Sequence, residues 1–300
     1  MKILMAYIHY PVSIAKYWKL GLQSLGHEVD SIGYCTADTQ AWYVKGKPII
    51  LPGMADVPTY PLGNQDIRYI IGDLIFRLTE KYDLFINVDA ACWFIGKTAC
   101  PKVIIGTDPH CVGYDRQRDD CNLFVCMQKC YSKDNDAWIP YAYEPSFHFH
   151  ADVPEDHDVT FLGVLYEDRI QDLKKLAAAG IKVVSDTGIV FDQGSPIYSA
   201  APIAYCRPSQ LDLPARFFEA MAYGCIPLTT EVPDLKEFDF EPGWHYELYE
   251  GDIVAAANRI LSDAKLNERR AACLEAIKPH TWEARASKLI ELCTERGLVK

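Results

Sequence analysis

Cys206-Arg207-Pro208-Ser209-Gln210-Leu211-Asp212-Leu213-Pro214-Ala215-Arg216-Phe217-Phe218-Glu219-Ala220-Met221-Ala222-Tyr223-Gly224-Cys225-Ile226-Pro227 reads as a loop, a helix, a tight stop and the beginning of a strand. Pro214 is a favoured first-turn residue, so the spacing predicts a helix over 214–223. Gly224 ends it by allowing the left-handed turn that most residues resist. Strands are expected on either side, over 202–206 and 226–230. Arg216 and Glu219 lie three apart, on one face near the helix start. Exposed backbone N–H groups and the helix dipole make that end attractive to a diphosphate. A glutamate on the same face can accept two hydrogen bonds from the hydroxyls of a ribose.

The same alternation extends in both directions. Upstream, a strand over 159–163 leads to a helix over 169–178 and a strand over 181–184. Downstream, helices are expected over 253–261, 267–277 and 282–292. The first half repeats the rhythm, with strands over 2–8, 28–32, 84–88 and 102–106 and a helix over 14–25. A Pro- and Gly-rich loop is expected over 47–64. It is followed by a helix whose buried face carries Ile67, Ile70, Ile71, Leu74, Ile75 and Leu78. Strand, helix, strand in this order is the pattern of doubly wound parallel sheets. Pro140, Pro145 and Pro154 interrupt an aromatic, histidine and acidic run over 140–158, read as an interdomain linker in which His148 and His150 are solvated. The expected organisation is a first domain over 1–150, a second over 151–280 and a terminal helix over 281–300 packing back on the first. Two such sheets facing each other would place a ligand between their carboxyl ends.

Composition narrows the function classes. The chain has 300 residues, 49% of them hydrophobic, which suits ordinary globular cores and argues against disorder. With 30 Lys and Arg against 41 Asp and Glu, the net charge is -11. That opposes a broad phosphate-backbone footprint, which needs clustered cations. The first residues are too short an apolar run for a signal peptide, and no stretch approaches the ~20 apolar residues of a membrane span. A cytoplasmic protein is expected. The 11 cysteines are odd in number and scattered, with Cys35, Cys206 and Cys225 inside apolar stretches, which fits reduced thiols. Cys111, Cys121, Cys126 and Cys130 lack the paired knuckle of structural zinc, and no metal site is expected.

Ser209, six residues, Arg216, two residues and then Glu219-Ala220-Met221-Ala222-Tyr223-Gly224 resembles the nucleotide-sugar-binding segment of GT-B glycosyltransferases of the retaining group-1 type. The nearest variety is the spore-maturation-protein-like glycosyltransferase. The resemblance implies two Rossmann-like domains facing each other across a cleft, with a C-terminal helix crossing back to the first. It implies that Glu219 holds the donor ribose. Gly163, followed by Arg169, looks like the family's strand-end glycine with a downstream basic residue, where close approach and neutralisation serve a phosphate. Segments 139–145 and 279–285 resemble the entry to the second domain and the terminal helix. The expected activity is transfer of a hexosyl or pentosyl group from a nucleoside diphosphate sugar, a UDP-sugar, to an acceptor hydroxyl, with retention and without a cofactor or catalytic metal. Leu211 stands where common members carry a second glutamate, with Asp212 adjacent, which leaves open a non-catalytic nucleotide-sugar-binding protein on the same scaffold.

In the first domain, Asp89 and the Thr107-Asp108-Pro109-His110 cluster follow predicted strands, where cleft residues belong. Asp89, Asp108 and His110 are candidates to orient an acceptor hydroxyl and take its proton. Asp108 as a turn cap and His110 as a loop residue are the structural alternative. The glycine pair common after the family's first strand is replaced by His9-Tyr10-Pro11-Val12-Ser13, leaving His9 and Ser13 as candidate donor contacts. Transfer onto a modified base in DNA is an alternative known among viral enzymes of related fold. Net charge opposes it, although Lys16, Lys19, Arg116 and Arg118 could supply a local patch.

Overall fold

The computed structural model describes residues 1–10, 12–35, 41–44, 47–50, 56–62, 72–88 and 96–300. By contacts the chain divides into two compact units, one formed by Met1–Pro140 with Trp282–Lys300 and one by Tyr141–Thr281.

The first unit contains β1 (Lys2–Ala6), α1 (Ile14–Ser24), β2 (Glu28–Tyr34), β3 (Ala41–Val44), β4 (Lys47–Ile50), β5 (Tyr60–Leu62), α2 (Gly72–Thr79), β6 (Leu84–Val88), β7 (Lys102–Gly106), α3 (Asp115–Asp119), β8 (Leu123–Cys126) and β9 (Ala137–Trp138). Seven of these strands pair in parallel in the order β5-β2-β1-β6-β7-β8-β9, while β3 and β4 form an antiparallel pair. The stretch expected as an uninterrupted loop over 47–64 therefore holds two strands. β4 pairs in register with β3, and β5 joins the sheet edge through Ile32 opposite Tyr60. Short edge strands such as β5 carry too little periodicity to separate from a Pro- and Gly-rich loop by sequence. Residues 63–71, including Ile67 and Ile70, lie outside the described part. β1, β6 and β7 are almost wholly buried, as a parallel strand covered on both faces must be.

The second unit contains β10 (Val159–Leu162), α4 (Glu167–Ala178), β11 (Val183–Asp186), α5 (Gly194–Ser199), β12 (Ile203–Tyr205), α6 (Ala215–Ala222), β13 (Ile226–Thr229), β14 (Glu247–Leu248), α7 (Ile253–Leu261) and α8 (Leu266–Ile277). Its five parallel strands run β11-β10-β12-β13-β14. The order reverses between β10 and β12, so the loops leaving those two strands part in opposite directions and open a crevice at their carboxyl ends.

α6 is short, and packing holds it. Phe217, Phe218, Ala220 and Met221 are fully buried, and Phe217 and Phe218 meet Phe238, Phe240 and Tyr246 in one aromatic cluster. Pro214 sits just before the helix in extended geometry rather than inside its first turn. At the other end Gly224, at φ 76°, lets Cys225 N–H donate to Ala220 O and Gly224 N–H to Met221 O, which terminates the helix.

The chain returns to the first unit through α9 (Trp282–Glu295). Gly21 on α1 makes that return possible. A Cβ there would lie 2.5 Å from Trp282 O, so only a glycine lets the two helices approach this closely. Trp282 then packs on Trp18 and Tyr17, with ring centroids 5.5 Å and 5.7 Å away.

Candidate functional site

In the second unit, the switch between β10 and β12 gathers five of the sequence-predicted residues. β10 ends at Leu162, and Gly163 follows at φ 149°. A Cβ at Gly163 would lie 2.2 Å from Arg216 Nη2, so the absence of a side chain is what admits that guanidinium. Arg216 comes from the first turn of α6 and donates from Nε to Leu162 O at 3.1 Å. Arg169, from the first turn of α4, is buried. It donates from Nη1 to Val164 O at 3.1 Å, and from Nη2 to Arg207 O at 3.1 Å and Ser209 Oγ at 3.3 Å. The two guanidinium groups share the Phe161 ring, with centres 4.5 Å (Arg216) and 5.6 Å (Arg169) from its centroid.

The electrostatics are those of an anion site. Among the described residues no carboxylate lies within ion-pairing distance of Arg169 or Arg216. Burial, and next the like charge of Arg216, lower the pKa of the Arg169 guanidinium. Arg169 Nε is buried without a hydrogen-bond partner among the described residues. Two adjacent cations, one of them desolvated and incompletely hydrogen-bonded, are stabilised by an anion that accepts from both.

One turn further along α6 is Glu219, half-buried. Its carboxylate accepts no hydrogen bond among the described residues, and His148 Nε2 lies 3.8 Å from it. His148 is a correction to the solvated linker expected over 140–158. It is 4% exposed, its Nδ1 accepts from Glu144 N at 3.0 Å, and its ring stands edge-on to Tyr223. His150 stays exposed, as expected, and bonds Tyr223 O at 2.8 Å. Alternating aromatic and histidine residues say nothing about the α6 surface they cover, so this packing has no local signal. Asp212, adjacent to Leu211, has its carboxylate engaged by its own loop. Its Oδ1 accepts from the amides of Ser209 and Gln210 at 2.9 Å and 2.7 Å, and it is buried within its own loop.

The first-unit candidates are placed differently. His9 follows β1 and is fully buried, stacked on Tyr7 at 3.9 Å. Burial lowers its pKa to about 4, so the ring is neutral at neutral pH. Ser13 caps α1, its Oγ accepting from Ala15 N at 3.3 Å. Asp108 sits in a turn whose carbonyl accepts from Cys111 N and Val112 N, and its Oδ2 accepts from Thr107 Oγ1 at 3.1 Å. His110 Nδ1 is buried without a partner among the described residues, and Asp108 and His110 share no hydrogen bond. Asp89 lies outside the described residues. Lys19 and Arg118, two members of the candidate basic patch with Lys16 and Arg116, stand beside carboxylates. Lys19 lies 3.6 Å from Asp56, and Arg118 pairs with Asp136 at 2.9 Å. Of the four clustered cysteines, Cys111 and Cys130 are exposed, Cys121 is half-buried and Cys126 is buried. Among the described residues no group of three or more His, Cys, Asp or Glu could hold a metal ion.

Residues 154–291 match the model of a family described as glycosyl transferase-like. No curated protein sequence matches the chain. Several solved structures are similar to it. One is Anabaena HepE in complex with UDP and glucose, at a TM-score of 0.65 and 10% identity over 98% of this chain and 100% of that one. A second is the sucrose-phosphate synthase of Thermosynechococcus elongatus, at 0.60 and 12% over 98% of each chain. A third is an alpha-glucosyltransferase in complex with UDP-glucose and DNA containing an abasic site, at 0.61 and 10% over 98% of each. At these identities the likeness concerns the fold. The chain has the two parallel sheets of the GT-B class, which is the class expected from its sequence.

Proposed function

We propose that the chain is a glycosyltransferase that binds a nucleoside diphosphate sugar on its second unit and transfers the sugar to an acceptor hydroxyl. One observation carries the reading. At the β10–β12 switch, two arginines without carboxylate partners among the described residues lie together, one of them, Arg216, admitted by Gly163, and one turn further along α6 is a carboxylate with no hydrogen bond of its own among those residues. The family match over 154–291 and the neighbours that carry UDP and UDP-glucose support it. In this reading Arg169 and Arg216 receive the diphosphate, with Ser209 beside them, and Glu219 accepts from the ribose hydroxyls.

The donor is a UDP-sugar carrying a hexosyl or pentosyl group. The bond between the anomeric carbon and the diphosphate oxygen breaks as the acceptor oxygen bonds that carbon, with retention. Arg169 and Arg216 stabilise the charge that develops on the departing diphosphate. On the first unit, Asp108, with His110 and Asp89, is assigned to orient the acceptor and take its proton. His9, neutral and fully buried, and Ser13, a helix cap, are not assigned a charged contact with the donor. No helix among the described residues is long and apolar enough to cross a membrane. Free thiols at ten described cysteines fit a reducing, cytoplasmic setting.

A DNA acceptor, the ligand of one structural neighbour, is disfavoured by the net charge of -11 and by the carboxylates that hold Lys19 and Arg118. The donor reading is tested by thermal unfolding with UDP, GDP, ADP, TDP and CMP. A nucleotide at ~100 times its dissociation constant stabilises by about 2.7 kcal/mol. Stabilisation by one diphosphate, abolished in Arg216→Ala and in Glu219→Ala, is expected. Silence with all five would refute the donor site.

A further inference from the structure

Arg207 stands two residues before Ser209, where a cation is easily taken for a phosphate ligand. Its surroundings assign it elsewhere. Arg207 Nε lies 3.1 Å from Asp168 Oδ2, and its Nη1 lies 2.6 Å from Asp172 Oδ2. Both carboxylates belong to α4, four residues apart and so on one face. Asp172 is buried, and the same Oδ2 accepts from the hydroxyls of Tyr205 and Tyr249 at 2.9 Å each. Burial alone would raise its carboxyl pKa. The hydrogen bonds from Arg207, Tyr249 and Tyr205 outweigh burial and hold it below the usual carboxylate value.

The charge of Arg207 is thus neutralised where it stands, while its backbone serves a different residue. The carbonyl of Arg207 and the hydroxyl of Ser209 are the two acceptors of Arg169 Nη2. Arg169 needs such anchors, because the like charge of Arg216 shares the Phe161 ring with it. Without them the two guanidinium groups would separate, and a diphosphate would have to bring them back together at an entropic cost.

We infer that Arg207 is a positioning residue: it fastens the loop after β12 to α4 through Asp168 and Asp172, so that this loop holds Arg169 ready for the diphosphate. The inference rests on the proposed donor site and goes beyond it, since it assigns the arginine just ahead of the motif to preorganisation instead of ligand contact.

Calorimetric titration of the full chain with UDP and with uridine separates the two roles, because uridine lacks the diphosphate. Arg207→Gln is expected to lower the UDP-to-uridine affinity ratio about tenfold, the scale of one charge-assisted hydrogen bond, while leaving uridine affinity unchanged. In an Arg169→Gln background the same change should have no further effect. Arg207→Gln leaves the buried Asp172 short of a partner and could unfold the unit. Asp168→Asn, at a half-exposed position, frees one arm without that cost, and a smaller fall in the same ratio is expected. An equal fall with and without Arg169 would make Arg207 a ligand residue and overturn the inference. An unchanged ratio in both Arg207→Gln and Asp168→Asn would overturn it as well. Failure of the native protein to bind UDP or any other nucleoside diphosphate is a separate result, which removes the donor site and the inference together.

Discussion

Gly163 has Arg216 Nη2 where its own Cβ would project. Gly163→Ala must therefore push the guanidinium off the strand end, and it adds strain at a φ that L-residues avoid. Because the displaced group is the tip of a flexible side chain, stability should fall by only about 1 kcal/mol. Diphosphate affinity should fall about tenfold or more, read by titration with the nucleotide that stabilises the native protein. A second residue-scale consequence lies in the other unit. His9 is protonated near pH 6.5 when unfolded but only near pH 4 when folded. Between those values the unfolded chain binds more protons, so stability is lost as pH falls through that window. The loss attributable to His9 is about 2 kcal/mol between pH 7 and pH 5. Urea unfolding at the two pH values should show it, and His9→Gln should reduce the slope, leaving the part due to buried His148, whose pKa burial also lowers. Arg216 and Glu219 were legible as candidates because they share one face near a helix start, and Arg169 and Ser209 because the segments that hold them resemble those of GT-B glycosyltransferases. Arg207, Asp172 and His148 were not, because their surroundings include residues 33 to 77 positions away.

Among the elements, α1 and α9 depend most visibly on one position. Glycine inside an exposed helix usually costs stability, and Gly→Ala there gains about 1 kcal/mol. Gly21→Ala should do the opposite, because its Cβ would meet the Trp282 backbone, which cannot swing aside as a side-chain tip can. A net loss of about 1–3 kcal/mol is expected, the range for overpacking, with a matching fall in melting temperature. The elements themselves were largely readable. Periodicity marked α1, α4, α7 and the buried strands β1, β6 and β7, since runs of apolar residues at period 3.6 or without polar breaks have few other uses. The two-residue strands β9 and β14 and the edge strand β5 were not readable, because a few residues carry no period and their pairing is decided by the neighbouring strand.

At the scale of the molecule, the chain leaves the first unit at Pro140 and re-enters it at Trp282. Ending the chain after Thr281 would strip α9, with Trp282, from α1 while leaving every strand of the second unit in place. Hydrogen exchange should then show lost protection in β1 and β6 and retained protection in β10 and β12. Equal loss in both sheets would contradict this division of the chain. By itself the sequence determined the α/β class, the strand–helix rhythm of both halves and the loop–helix segment over 206–227. These follow from local periodicity, turn chemistry and the residues at helix ends. Only the tertiary structure decided which cations are free and which are paired. Arg169 and Arg216 stand without carboxylates, while Arg207, Lys19 and Arg118 are held by Asp172, Asp56 and Asp136. A charge is available to a ligand only where the fold leaves it unpaired, and residues distant in the chain determine the pairing.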